Sequence, residues 1–283
     1  MHGHREAFEV SVLCEVLQVS RSGYYAWVDR PASDRARARE ELVEQVRQVH
    51  RESFGTYGSP RVCAELTAGR KVKTCVNTVA KLMRRAGLRS VTHRRFVVRT
   101  TDSGHDHPVS PNLLDRQFQA EVPDRKWACD ITYAHTAQGF LYLAAVMDLC
   151  SRKIVGWCMA DHLRTELCTE ALTMALEARK PGAGLLHHSD RGVQYASGDY
   201  ARVLQAHGVK VSMSRVGDCY DNAAMESFWG TMKTEWVYPR GEYRTREEAR
   251  QSIFQYIECW YNRRRRHSAI GYVSPDEFEA SLN

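Results

Sequence analysis

Apolar positions along the chain recur first at helical spacing and then, from about residue 120, at strand spacing. "AFEVSVLCEVLQ" and "RSGYYAWVDR" carry helical patterns separated by "VS". They predict two short helices around a tight turn at Ser20, the second bearing Arg21, Tyr24 and Tyr25, which suits a helix-turn-helix fragment. "RPASDR" punctuates, and Ser33 or Asp34 is available to cap a long charged helix from about 35 to 52. After the loop chemistry of "FGTYGSP", the segment "RVCAELTAGRKVKTCVNTVAKLMRRAGL" reads as helix, Gly-containing turn and helix, stopping at Gly87. This is the stronger helix-turn-helix: Val79, Leu82 and Met83 pack inward while Asn77, Lys81, Arg84 and Arg85 are free to face a groove. A plain helical bundle with a solvated basic face carries the same pattern, but Arg94, Arg95 and Arg99 follow at once and favour DNA contact.

"TDSGHDHPVSPN", residues 101 to 112, is polar and Pro-containing, as a linker is. Beyond it "RKWACDITYAHT" alternates with period two, setting Trp127, Cys129, Ile131 and Tyr133 on one face and Ala128, Asp130 and Thr132 on the other. "AQGF" is a hairpin turn, "FLYLAAVMDLC" a strand buried on both faces and "RKIVGWCMAD" a third antiparallel strand. Then come an amphipathic helix ("RTELCTEALTMALEARK"), a strand ("AGLLHHSD"), a helix ("SGDYARVLQAHG") and a strand ("VKVSMS"). A helix through "DNAAMESFWGTMKTE" and a longer one from about 245 to 264 complete the series. The pattern predicts an α/β protein with a mixed five-stranded sheet flanked by helices, preceded by an all-α helix-turn-helix region. The expected divisions are 1–31, 34–96, a linker over 97–119, and a catalytic domain over 120–283.

Composition sharpens this picture in two respects. The formal net charge of +6 is uneven: residues 1–100 hold 19 Lys and Arg against 10 Asp and Glu, the remainder 21 against 24. A basic third beside a neutral remainder points first to nucleic acid. The nine cysteines never fall as Cys-x-x-Cys, no apolar run is long enough to span a membrane, and "MHGHREAFEV" has no apolar signal region. Reduced thiols in a cytosol, with a cytoplasmic location and no membrane partner, are therefore expected.

Three acids stand out. On a helical wheel Asn222, Glu226 and Lys233 fall within about 40° of one another, beside a core face of Met225, Phe228, Trp229, Met232 and Trp236. Taken alone, Glu226 reads as a half-buried carboxylate tied to a neighbouring cation. Asp130 lies mid-strand, and Asp190 ends a strand where an α/β sheet opens its ligand crevice. If the strands are neighbours and the helix crosses their ends, the acids converge, and their repulsion calls for a cation. An all-oxygen set favours Mg²⁺ or Mn²⁺, and two such ions suit phosphodiester cleavage and strand transfer. Asp148 reads as structural and His188 as a hydrogen-bonded histidine.

"WACDITY", "HSDRGVQY" and "DNAAMESFWGTMKTE", with 59 residues between Asp130 and Asp190 and 35 between Asp190 and Glu226, resemble the catalytic signature of bacterial insertion-sequence transposases. The resemblance is to the frameshift-expressed, two-reading-frame family with a retroviral-integrase-like core. "GTYGSPRVCAEL", "TVAKLMRRAGL" and "YNRRRRHSAIGYVSPDEFE" extend it over roughly residues 9 to 280. It implies a ribonuclease-H-like fold, Mg²⁺-dependent cleavage of double-stranded DNA at the element's terminal inverted repeats, and joining of the freed 3′ end to target DNA. It also implies a metal-binding triad of Asp130, Asp190 and Glu226, with Lys233 contacting DNA near the cut. Asn222, Arg191 and Gln194 lie in the same motifs as further DNA-binding candidates. Arg263, Arg264, Arg265 and Arg266 can be a solvated helix end or a phosphate grip, and the resemblance favours the grip. Such proteins usually draw their main end-recognition unit and a coiled coil from an upstream frame. This chain has no long heptad run, and residues 1–30 resemble the tail of such a unit, so an upstream-frame partner or fusion is expected. Pairing two DNA ends implies a homo-oligomer on DNA. Two other readings remain at this level: a DNA-binding regulator with a silent core, and a ribonuclease-H-type nuclease.

Overall fold

The computed structural model describes residues 1–91, 109–215 and 219–282. Arg94, Arg95 and Arg99, and the part of the expected linker from 97 to 108, lie outside the described residues. Two short helices open the chain, α1 (Val10–Val16) and α2 (Arg21–Val28), and the Ser20 hydroxyl caps α2 by accepting from Gly23 N. Ser33 rather than Asp34 caps α3 (Asp34–Glu52), accepting from Ala36 N. Val46 and Val49 of α3 are buried against α4 (Ser59–Ala64), which runs on as a π-helix over Glu65–Gly69, and α5 (Val76–Arg85). On α5 the heptad pattern sorts as its residues dictate: Val79, Leu82 and Met83 are buried, and Asn77, Lys81, Arg84 and Arg85 face solvent.

The second half is built on β1 (Lys126–Thr136), β2 (Gly139–Asp148), β3 (Ile154–Ala160), β4 (Leu186–Ser189) and β5 (Lys210–Met213). They form one five-stranded sheet in the order β3-β2-β1-β4-β5. The hairpin pairs β1 and β2 antiparallel, β3 continues that meander, and β4 and β5 join in parallel. Strict alternation along β1 divides the core. Trp127, Cys129 and Ile131 pack with α6 (Thr165–Arg179), α7 (Val193–Ala196) and α8 (Gly198–Ala206) on one face. Ala128 and Ala134 pack on the opposite face, covered by α9 (Ala223–Met232) and the helices that follow.

After α9 the chain continues as a π-helix over Lys233–Val237, turns through α10 (Tyr238–Arg240) and enters α11 (Arg246–Phe254). The long helix expected from 245 to 264 is α-helical only to Phe254 and then π-helical over Gln255–Tyr261. Asn262 caps the edge of the sheet: its Oδ1 accepts from Ile154 N and its Nδ2 donates to Ile154 O, both at 2.9 Å, occupying backbone groups that an edge strand would leave open. The last helix, α12 (Pro275–Ala280), starts with a capping box of Ser274 and Glu277 and is tied back by Lys153 to Asp276 and by Arg179 to Glu279.

The helical region and the sheet share one apolar cluster. Phe54 sets its ring edge-on to Trp236 and Trp260, at centroid distances of 5.0 and 5.2 Å. Among the described residues no helix is long and apolar enough to cross a membrane.

The close approach of α6 to β3 depends on Gly156. A Cβ there would lie 2.2 Å from Ala171 O and 2.7 Å from Ala175 Cβ. Gly156→Ala is expected to cost about 1–3 kcal/mol by overpacking, read as a lower urea midpoint at unchanged slope.

Candidate active site

The parallel pairing of β1 and β4 brings the first two acids together. Its register runs Lys126 to Leu186, Trp127 to His187 and Ala128 to His188. Continued for two residues, it sets Asp190 beside Asp130 on the same face. Asp130 therefore meets a like charge, and burial followed by Asp190 pushes its carboxyl well above the usual range, with a smaller push from Glu226. Two donors oppose this: Ile131 N reaches Oδ1 at 2.8 Å, and the Trp229 indole N–H reaches Oδ2 at 3.1 Å. Asp190 Oδ1 accepts from Gly192 N at 2.9 Å.

Glu226 stands in the first turn of α9, solvent-accessible, with its carboxyl raised by partial burial. Trp229, three residues on, belongs to the same helix, so one element supplies both Glu226 and the indole that orients Asp130. Asp190 and Glu226 act on Asp130 electrostatically without the three closing into a preformed cage: among the described residues no three His, Cys, Asp or Glu side chains form a ready metal cluster. Their chemistry still suits a divalent cation, because carboxylate oxygens are hard donors and their mutual repulsion is what a cation relieves.

Lys233, the first residue of the π-helical turn, is buried, with Nζ 5.0 Å from the centre of the Tyr133 ring. Burial lowers its ammonium to about 8, and Asp130 partly offsets this. Asn222 precedes α9 rather than sharing its stripe, because the helix starts at Ala223. It is buried, and its Nδ2 donates to Cys129 O at 3.1 Å, pinning the start of α9 to β1 next to Asp130.

Other candidates point inward. Gln194 is buried and donates to Leu163 O, and Arg191 donates to Ser214 O at 2.6 Å. His188 is buried between the Ser212 and Ser214 hydroxyls, at 2.8 and 3.2 Å, and is lowered by burial to about 4. Asp148 is fully buried and accepts from the backbone of Asp124, Cys150 and Ser151. Asp221 went unremarked in the sequence. It is buried and gathers Arg215, Arg116 and Asn112, and the two arginines, Arg215 foremost, hold its carboxyl far below the usual range. Trp229 was read only as a core residue, and no local pattern separates an indole that packs from one that also donates.

The expected four-arginine grip is corrected in half of its members. Arg263 and Arg264 are exposed. Arg265 is buried in a bidentate pair with Glu235, both contacts 2.7 Å, and Arg266 is buried against Glu65 and donates to Tyr272 O. The chain turns back across the helical region here, so the first two guanidiniums stay outside and the last two are enclosed.

A central strand bearing one acid, a parallel neighbour ending in a second and a packed helix bearing a third define the ribonuclease-H-like class of nucleic-acid-processing enzymes. Comparison with known proteins agrees. Two integrase core domain models match residues 120–219 and 207–275, and an HTH-like domain model matches residues 37–96. The transposase InsF for insertion sequence IS3A of Escherichia coli (strain K12) is 43% identical over 279 residues, 98% of this chain and 96% of that one. The insertion element IS600 uncharacterized 31 kDa protein of Shigella sonnei is 44% identical over 266 residues, 94% and 97% of the two chains. The chain belongs to the IS3 family of insertion-sequence transposases.

Two outcomes are expected. Arg265→Met should destabilise the fold by up to about 3–5 kcal/mol, since it removes both hydrogen bonds from the buried Glu235 carboxylate and leaves it only Arg61, 3.9 Å away. Arg263→Ala with Arg264→Ala should leave the urea midpoint within about 0.5 kcal/mol of wild type, because both side chains are exposed. For Lys233, the ammonium is protonated in both folded and unfolded chain below about pH 8, and its burial cost is then fully present. Between about 8 and the ordinary 10.5 the folded chain has released a proton that the unfolded chain keeps, so stability rises with pH. Without divalent metal, the difference in unfolding free energy between wild type and Lys233→Met should shift in favour of wild type across that window, at no more than about 1.4 kcal/mol per pH unit.

Proposed function

We propose that this transposase cuts double-stranded DNA at the terminal inverted repeats of its insertion sequence and joins the freed 3′ end to target DNA, with Asp130, Asp190 and Glu226 as the catalytic, metal-holding acids. The observation that carries this reading is the like charge that Asp190 and Glu226 impose on Asp130 at the centre of the sheet. Mg²⁺ or Mn²⁺, as a pair of ions, is the fitting cofactor; held by these carboxylates, it supplies an activated water or 3′-hydroxyl and stabilisation of the leaving oxygen.

The chain's own residues do the positioning. Trp229 fixes one Asp130 oxygen and the Ile131 N–H the other, which limits rotation of the carboxylate. Lys233, buried on the turn that follows the Glu226 helix and acted on by Asp130, is the cation assigned to a phosphate next to the cut. Asn222, Gln194 and Arg191 support that surface from beneath through their backbone contacts. On the helical region, exposed Asn77, Lys81, Arg84 and Arg85 of α5 form the DNA-reading face, and exposed Arg263 and Arg264 add phosphate contacts. The division into a recognition region over 34–96 and a catalytic region from 120 follows from these roles. A homo-oligomer on DNA and an upstream-frame partner or fusion complete the active assembly, which works in the bacterial cytoplasm on chromosomal or plasmid DNA.

The test is cleavage and strand transfer on labelled DNA carrying the element's ends, with Mg²⁺, Mn²⁺ or chelator. Asp130→Asn, Asp190→Asn and Glu226→Gln should each lower the cleavage rate by more than about 100-fold while DNA binding is retained. Full activity in any one of them removes that residue from the triad. Cleavage of an RNA–DNA hybrid in preference to end-bearing DNA turns the reading to a ribonuclease-H-type nuclease.

A further inference from the structure

Behind the catalytic helix lies a cavity of about 320 Å³. Arg61 of α4, Arg152 just after β2, and Arg265 and His267 of the C-terminal segment line it, and Ser227 and Thr231 of α9 form the facing wall. Ser227 and Thr231 are four residues apart and share a helix face, about 100–140° around from Glu226. The cavity and the three acids thus occupy different flanks of one helix.

Its charge is unbalanced. Three guanidiniums reach the cavity, and among the described residues no carboxylate lines it. Glu235, behind the wall, is committed to Arg265 through both oxygens, and Arg61 Nη1 stands 3.9 Å from the same carboxylate. Arg152 donates from Nη2 to Phe118 O at 2.9 Å, a neutral acceptor. His267 sits among the three arginines, and burial together with Arg265, Arg61 and Arg152 drives it well below the ordinary histidine range. Its Nδ1 lies 3.5 Å from Arg265 Nη1 and the Tyr261 backbone hydrogen-bonds the same ring, the remaining ring nitrogen being Nε2. That Nε2 is buried and has no partner among the described residues. Like charges gathered beside a buried, unpartnered ring nitrogen are unfavourable until an anion joins them.

We propose that this cavity is a phosphate-binding site, held by Arg61 and Arg152 with Ser227, Thr231 and His267 as neutral donors. Guanidiniums and hydroxyls converging from several directions suit a tetrahedral oxyanion better than a planar carboxylate. The volume exceeds that of a single phosphate, so a backbone phosphodiester with its sugar and a free phosphate with its waters both fit. An occupied site joins the helical region through Arg61, the sheet through Arg152 and the back of the Glu226 helix in one ionic cluster. The site does not depend on the roles given to the three acids.

Thermal unfolding of the full chain in inorganic phosphate and in chloride at matched ionic strength reads the free anion. Salt titration of duplex DNA binding reads the phosphodiester. Arg152→Gln removes a cation that no carboxylate meets within the cavity lining; Thr231→Val removes one donor and leaves every arginine in place, so it decides the matter if Arg152→Gln does not fold. For free phosphate, Tm should rise saturably in wild type, Arg152→Gln should abolish the rise, and Thr231→Val should raise the half-saturating concentration several-fold. For a DNA phosphodiester, Arg152→Gln should lower the slope of log affinity against log salt by about 1, and Thr231→Val should weaken DNA binding several-fold at one salt concentration. Phosphate and chloride acting alike on wild type, together with Thr231→Val matching wild-type DNA affinity, overturns the proposal.

Discussion

Repulsion between Asp130 and Asp190 is the constraint around which the catalytic half is arranged. Parallel pairing of β1 with β4 directs the chain so that Asp190, just past the end of β4, acts on Asp130 as a like charge. The surroundings answer with fixed dipoles: the Ile131 and Gly192 N–H groups and the Trp229 indole each donate to one of the two acids. These donors orient the oxygens without neutralising the charge. Unrelieved carboxylate charge of this kind is what a hard divalent cation neutralises in general.

The helix α9 serves two surfaces at once. Its sheet-facing side carries Met225, Phe228, Trp229 and Met232 into the core, its first turn presents Glu226, and its outer flank walls the arginine-lined cavity. Asn222 anchors its start to β1, so the placement of Glu226 relative to Asp130 is set by a side-chain bond as well as by packing. The π-helical turn that follows carries Lys233 into the interior beside Tyr133. Such turns recur at functional sites because the extra residue redirects a side chain without ending the helix.

The helical region is held to the sheet half by charge and hydrogen bonds as well as by apolar contact. Arg266 binds Glu65, Arg61 donates to Arg266 O, and Arg266 N donates to the Tyr57 hydroxyl at 2.8 Å. The C-terminal segment is thus a strap between two parts of the chain far apart in sequence. The arginines that make the strap were indistinguishable, by composition, from those left to solvent at 263 and 264.

Periodicity and local chemistry determined a good deal of this protein. The two-residue alternation in "RKWACDITYAHT" placed Asp130 opposite Trp127 and Ile131, caps and turns marked the helices, and motif spacing identified the three acids. These features are local, so the chain carries them in the order of its residues. Tertiary structure decided what depends on neighbours distant in sequence. It turned Gln194 inward and buried Arg265 and Arg266, while Arg263 and Arg264 stayed outside. It gave Trp229 a polar duty beyond packing, and it brought Arg61, Arg152 and His267 around one cavity. A run such as "RRRR" records charge but not direction, and direction is set only when the backbone turns against another part of the fold.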